Sequence, residues 1–287
     1  MFFFCLPSVP LYDVKITACV FIGFGLSFLQ EENEIKIAAQ LYNVREYCKT
    51  PSDIEATLRR IKAIGFDVIQ ISGFGPCDPE LIAGWVKELG LEVCITHTPW
   101  PRLADPSELK KVIAEHKKLG CPIIGLGARP GDVFPNSNEG WTRFIKKAAE
   151  ITAQIKDEGL DFSYHNHDFE FQKWDGVTAM DRIIDEVPGL LFTLDTFWVQ
   201  AGGANPLKYI KKLEGRIKVI HLKDFRVFNG ARQFAEIGQG NFDWDEIITL
   251  CKSTGIAYAA IEQDADWLID PFESLDMSRE YLLTKSL

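Results

Sequence analysis

The chain has 287 residues, 46% of them hydrophobic and 25% charged, with a formal net charge of −10. That length is large for an ordinary domain but normal for a single α/β barrel, which takes ~250 residues, and the composition is that of a soluble globular enzyme. The negative balance excludes a broad electrostatic track for nucleic acid or for an anionic membrane; it does not exclude a small anionic substrate held by a local cation or metal.

Residues 1–35 carry no regular pattern. An aromatic run at residues 2–4 precedes an apolar stretch at 16–29, which is too short for a membrane span. As a signal peptide it has only Lys15 as a positive flank, with Tyr12 and Asp13 beside it, so the segment reads as an extension outside the functional core, with secretion as the second reading. The seven cysteines (Cys5, Cys19, Cys48, Cys77, Cys94, Cys121, Cys251) form no C-x-x-C pair. An odd, scattered set points to reduced thiols in a cytoplasm, and Cys94, inside an apolar run, reads as a small buried hydrophobe.

From Lys36 onward, strand-length apolar runs fall at 36–42, 68–73, 92–98, 123–128, 162–167, 191–196, 217–224 and 258–264. Helical patterns lie between them, near 52–64, 79–89, 106–119, 138–158, 178–186, 206–213, 243–253 and 272–284. Ser52 followed by Glu55 suits a capping box, and Gly65, Gly90, Gly120, Gly159 and Gly255 stand where helices need a left-handed closing residue. Eight strand–helix pairs without a long polar linker predict one (β/α)8 TIM barrel over residues 36–287. A doubly wound sheet is the runner-up, weakened because no G-x-G-x-x-G follows the first strand.

Four of the later strands end in metal-ligand chemistry: His165 after strand five, Asp195 after six, His221 after seven and Glu262 after eight. In a (β/α)8 barrel the strand C-termini surround one pocket, so the four converge. Each has a plainer use alone, such as hydrogen bonding for a His or turn capping for Asp195. Together, mixed imidazole and carboxylate donors suit Mn²⁺, Zn²⁺, Co²⁺ or Fe²⁺, with coordination positions left open for substrate. Trp100 and Trp198 could offer flat faces to a sugar ring or simply pack at the rim. Lys223 could hold a developing oxyanion or pair with Asp224. Gln70, Tyr42 and Arg45 end strands two and one and are weaker candidates, and His116, on a helix among charges, reads as solvated.

Tyr164-His165-Asn166-His167-Asp168-Phe169-Glu170-Phe171, His221-Leu222-Lys223-Asp224 and Glu262-Gln263-Asp264 resemble the sugar phosphate isomerase/epimerase family of the xylose isomerase-like barrel superfamily, over about residues 36–284. The resemblance implies a divalent metal, usually Mn²⁺ with Mg²⁺ among the other options, and chemistry beside the carbonyl of a sugar, keto-sugar or cyclitol through a metal-stabilised enediolate. The family's aspartate, histidine and final glutamate ligands fall on Asp195, His221 and Glu262. Many members carry glutamate at strand five, where this chain has His165, with His167 the alternative at that position. His97, in Thr96-His97-Thr98-Pro99-Trp100, matches a position that commonly contacts substrate. The expected catalytic set is Glu262, His165, His97 and Lys223, with His97, Trp100, His167, Trp198 and Lys223 around the substrate. The same intermediate leads to epimerisation, isomerisation or dehydration. A non-catalytic sugar-binding barrel is the further alternative. Five histidines and the charge of −10 argue against an endonuclease-like zinc cluster. No nucleic-acid or membrane partner is expected, and a homo-oligomer is left open.

Overall fold

The computed structural model describes residues 34–285 and 287. Eight strands, numbered around the barrel, are β1 Lys36–Gln40, β2 Val68–Ile71, β3 Glu92–His97, β4 Ile123–Leu126, β5 Asp161–His165, β6 Leu191–Asp195, β7 Val219–Leu222 and β8 Tyr258–Ile261. They close into a parallel barrel in sequence order, β8 pairing back onto β1. The expected (β/α)8 architecture is therefore the observed one. The expected N-terminal extension lies outside the described residues except for Glu34 and Ile35, of which Ile35 is buried in the core, and the first barrel strand begins at Lys36.

The strands are short and apolar because both faces are covered: β4 and β7 are buried along their whole length. A cluster that includes Ala38, Cys94, Ile123, Val219 and Ala260 is built entirely from strand residues, as expected for Cys94. A much larger cluster joins strands to surrounding helices. Register then sets the site. Asp195 of β6 lies opposite His221 of β7, and His221 lies opposite Ala260 of β8, two residues before Glu262. His165 of β5 lies opposite Thr193, two residues before Asp195. Alternate strand residues share a face, so all four donors point the same way.

The helix Pro51–Ile64 buries Ile54, Leu58 and Ile61 on one stripe, and Gly65 closes it at φ 107°. Its capping box is two residues earlier than Ser52 and Glu55: Thr50 accepts from Asp53 N, and the Asp53 carboxylate accepts from Thr50 N. Pro51 explains the shift, since a proline with no N–H belongs at the first helical position. His116 is also different from its solvated reading. It is buried, with Nδ1 2.7 Å from Val112 O and Nε2 2.8 Å from Thr96 Oγ1, tying the Pro106–Leu119 helix to β3.

Strand ends depart most from expectation. A 3-10 segment, Leu41–Tyr47, stops β1, with the Gln40 side chain accepting from Tyr42 N. Short helices follow two strands, Trp100–Ala104 separated from β3 by two residues and Thr196–Ala201 directly after β6. After Leu222 the chain enters an antiparallel hairpin, Asp224–Phe228 with Ala231–Ala235. Its turn residues Asn229 and Gly230 both have positive φ, 50° and 76°, the geometry of the Asn-Gly hairpin turn. Among the described residues no helix is long and apolar enough to cross a membrane.

Candidate metal centre and active site

His165, Asp195, His221 and Glu262 each contribute one ligand atom to a group whose members all lie within 4.8 Å of one another, and all four residues are buried. Two opposite ligands at bond lengths of ~2.1 Å span ~4.2 Å, so the group is close to coordination dimensions. Orientation supports this reading. His165 Nδ1 is 2.9 Å from Gly127 O, which leaves Nε2 facing Asp195 Oδ2 at 3.5 Å and Glu262 Oε2 at 3.9 Å. His221 Nε2 is 2.8 Å from Gln70 Oε1, so Nδ1 faces inward, in close contact with Glu262 Oε2 and 4.0 Å from Asp195 Oδ2. Each ring is thus held by a hydrogen bond on its outer nitrogen, the arrangement that fixes the tautomer of a ligating histidine.

Two inward atoms, His221 Nδ1 and Glu262 Oε2, are buried without a hydrogen-bond partner. Orphaned polar atoms facing one another are costly unless a cation completes them, so these residues fit a divalent ion. The fourth donor is fixed from behind: Asp195 Oδ1 accepts from Trp198 N at 2.8 Å, and Asp195 N donates to Asn166 Oδ1 at 3.0 Å. Asn43 does the same for β8, donating to Ile261 O at 3.0 Å and accepting from Gln263 N at 2.8 Å.

Lys223 is fully buried and pairs with Asp264, not with the adjacent Asp224; its ammonium also lies 3.4 Å from Glu262 Oε1 and 4.0 Å from Asp195 Oδ2. Burial works against its charge, but the carboxylates of Glu262, Asp195 and Asp264 outweigh it and raise the pKa. Trp198 and Phe234 stand 5.0 and 4.9 Å from the same ammonium. Asp224 is occupied elsewhere, accepting from Trp244 Nε1 at 2.7 Å and from the amides of Phe225, Gly238, Gly240 and Phe242.

Two further histidines, His97 and His167, stand beside the four donors. His97 packs 5.4 Å from His165 and 5.6 Å from His221, ring to ring, with Nε2 buried and unpartnered. Desolvation, and then the neighbouring imidazoles, hold it well below the ordinary histidine range, so it is neutral. His167 is pushed by burial to about 3, stacks on Phe169, and lies 4.9 Å from His165 and 5.2 Å from Trp198. For His165 burial is outweighed by the Asp195 hydrogen bond and the Glu262 charge, so its pKa is raised. Glu262 is driven well below the carboxylate range: burial opposes this, but Lys223 and His221 prevail.

Of the other expected contacts, Trp100 opens a helix and turns its indole into Phe134, 5.2 Å away, and Phe144; these ring contacts are packing. Tyr42 is exposed, and Arg45 stacks on it while donating to Asp264 O at 3.2 Å. The supporting roles of Gly127, Asn166, Asn43 and Asp264 are not legible along the chain. Gly127 leaves no room for a side chain, since a Cβ there would sit 2.8 Å from His97 Nδ1.

The xylose isomerase-like TIM barrel family matches residues 58–281. Inosose dehydratase from Bacillus thuringiensis (strain Al Hakam) is 28% identical over 195 residues, covering 58% of this chain and 62% of that protein. The match thus spans just under two thirds of the length of such curated relatives. Among solved structures, a sugar phosphate isomerase/epimerase from Parabacteroides distasonis ATCC 8503 superposes with a TM-score of 0.69 at 22% identity, covering 87% of this chain and 98% of that one. L-ribulose 3-epimerase gives 0.66 at 17% identity, covering 88% and 94%. These likenesses carry the fold alone, whereas the family match extends over most of the barrel: the chain belongs to the xylose isomerase-like TIM barrel family.

Proposed function

We propose that the protein is a divalent-metal-dependent isomerase or epimerase acting on a sugar, keto-sugar or cyclitol, with His165, Asp195, His221 and Glu262 as the metal ligands. The observation that carries this reading is the convergence of four buried donors, with the outer ring nitrogens of His165 and His221 tied down and with His221 Nδ1 and Glu262 Oε2 unpartnered on the inner side. When bound, the ion would polarise adjacent carbonyl and hydroxyl oxygens and so acidify the neighbouring C–H. Manganese is the proposed ion and the cytoplasm the proposed location, on the donor set and the unclustered cysteines.

The protein's own groups can complete the chemistry. Glu262 is ionised and offers a carboxylate oxygen as the base that takes the proton from carbon. Lys223, held charged by three carboxylates, is placed to hold negative charge on a substrate oxygen. His97 and His167 are neutral imidazoles beside the donors, placed to hydrogen-bond substrate oxygens. A second reading, elimination of water from a keto-sugar or inosose, draws support from the inosose dehydratase relatives. It shares the first proton removal and differs in the fate of the β-hydroxyl.

The test is solvent-deuterium exchange into a panel of keto-sugars and inososes by the metal-loaded protein. Wild type should exchange one carbon-bound hydrogen, and Glu262→Gln should abolish exchange. Full exchange in the variant would remove Glu262 as the base. Substrate binding without any exchange would leave a sugar-binding barrel.

A further inference from the structure

Arg129 lies on the loop leaving β4, two residues beyond Gly127, the residue whose carbonyl orients His165. Its side chain is only 7% exposed, yet Nε and Nη1 are buried without a hydrogen-bond partner. Among the described residues no carboxylate forms an ion pair with it. Its guanidinium carbon stands instead 4.4 Å from the ring of Trp141 and 5.4 Å from that of Phe169. The buried acid nearby, Glu170, is already taken, accepting from Tyr164 Oη at 2.5 Å and from His167 N at 2.8 Å. The Arg129 backbone is itself anchored, its N–H donating to Tyr164 Oη at 3.2 Å.

A guanidinium keeps its charge across the physiological range, and stacking on aromatic faces compensates only part of its lost hydration. Two buried N–H groups without acceptors call for a missing partner. A guanidinium fork pairs Nη2 with either Nε or Nη1, and such a fork selects a planar or tetrahedral oxyanion that can accept two hydrogen bonds. The position also connects to the metal centre: Phe169, under the guanidinium, stacks on His167 at 5.4 Å, and His167 meets His165 at 4.9 Å.

We infer that Arg129 binds an anionic group of the substrate, a carboxylate or a phosphate monoester, in a subsite on the β4–β5 side of the four-donor centre. The inference rests on the proposed function, because it takes that centre as the place where the substrate reacts. It narrows the substrate class from neutral sugars to sugar acids or sugar phosphates.

The test is calorimetric titration of the metal-loaded protein with inorganic phosphate and, separately, with acetate. Wild type should bind at least one of them saturably, Arg129→Gln should bind it at least tenfold more weakly, and Arg129→Lys should fall between the two. Preference for phosphate marks a phosphate ester, and preference for acetate marks a carboxylate. Equal affinity in wild type and Arg129→Gln, or no saturable binding of either anion, overturns the inference. Should the glutamine variant not fold, the Arg129 Nε–H resonance of the wild-type protein gives the same answer: it shifts on anion addition if the inference holds and stays still if it does not. Metal content is measured on every sample. A protein without metal would sink the reading of the four-donor centre while leaving the anion titration interpretable, and a metal-loaded protein indifferent to Arg129 would do the reverse.

Discussion

Gln70→Leu should weaken metal binding without touching a ligand. Gln70 is fully buried at the end of β2, and its Oε1 lies 2.8 Å from His221 Nε2 while its Nε2 donates to Ser72 Oγ at 3.4 Å. The acceptor forces the imidazole proton onto Nε2 and leaves the Nδ1 lone pair inward, beside Glu262 and Asp195. Leucine has a similar volume but no acceptor, so the ring is free to place its proton on Nδ1 or to rotate. Loss of such an outer hydrogen bond typically costs about 10–100-fold in metal affinity, or ~1.4–2.7 kcal/mol. Titration of the metal-free protein with Mn²⁺, followed by calorimetry, reads the loss directly. Gln70→Glu, which keeps an acceptor and adds charge, should match or exceed wild-type affinity. Equal affinity in Gln70→Leu and wild type would show that the contact does not orient His221, and the assignment of Nδ1 as the ligand atom would fall with it.

Other perturbations address the neighbouring groups. Lys223→Met leaves three carboxylates facing one another without their cation and should cost ~3–5 kcal/mol in denaturant unfolding of the metal-free protein, part of it recovered by adding Asp264→Asn. An undiminished midpoint would refute the pairing. Metal affinity should fall as pH drops, because ligand protonation competes with the ion, and the fall should begin above the ordinary histidine range since the His165 pKa is raised. A flat binding profile from pH 8 to 5 would count against His165 as a ligand. Burial lifts the Glu170 carboxyl from 4.5 to about 7, against the lowering effect of its Tyr164 and His167 hydrogen bonds. The folded state then holds the proton more tightly than the unfolded one, so the contribution of Glu170 is fully present below pH ~4.5 and is lost as pH rises through ~7. Relative to wild type, Glu170→Gln should gain roughly 3 kcal/mol between those limits, measured by unfolding at pH 5 and pH 8; a constant difference would rule out the raised pKa.

The barrel was legible because its signals are local and repeated. Each apolar run is short, each is followed by a helical stripe, and glycines close the helices at Gly65, Gly90, Gly120, Gly159 and Gly255, all of which have positive φ. The four donors were legible for a topological reason: strand C-termini of a parallel barrel share one face, so the last polar residue of each strand is enough to locate them. The segments leaving the strands were not legible in the same way. Periodicity cannot tell where Leu222 stops and the Asp224 hairpin starts, nor that Thr196 begins a helix capped by Asp195. The Asn229-Gly230 pair was the available signal for the hairpin.

The supporting contacts were hidden, even at Gln70, which stood out only as a strand-end residue, and the reason bears on how the site works. Gln70 reaches His221 across 151 residues, Asn43 reaches Gln263 across 220, and Gly127 O reaches His165 across 38. No pattern along the chain announces such contacts, because each depends on the barrel having closed. Their effect is nonetheless to decide which nitrogen of each histidine faces inward and how much freedom the carboxylates keep. A donor set named from strand ends therefore specifies which elements can meet a cation, while its orientation is a property of closure: the 3-10 segment after β1 positions β8 through Asn43, β2 positions β7 through Gln70, and the residue following β4 positions β5 through Gly127. Substitutions in the first half of the chain, which contributes none of the four donors, should consequently change metal binding as strongly as changes beside the donors themselves.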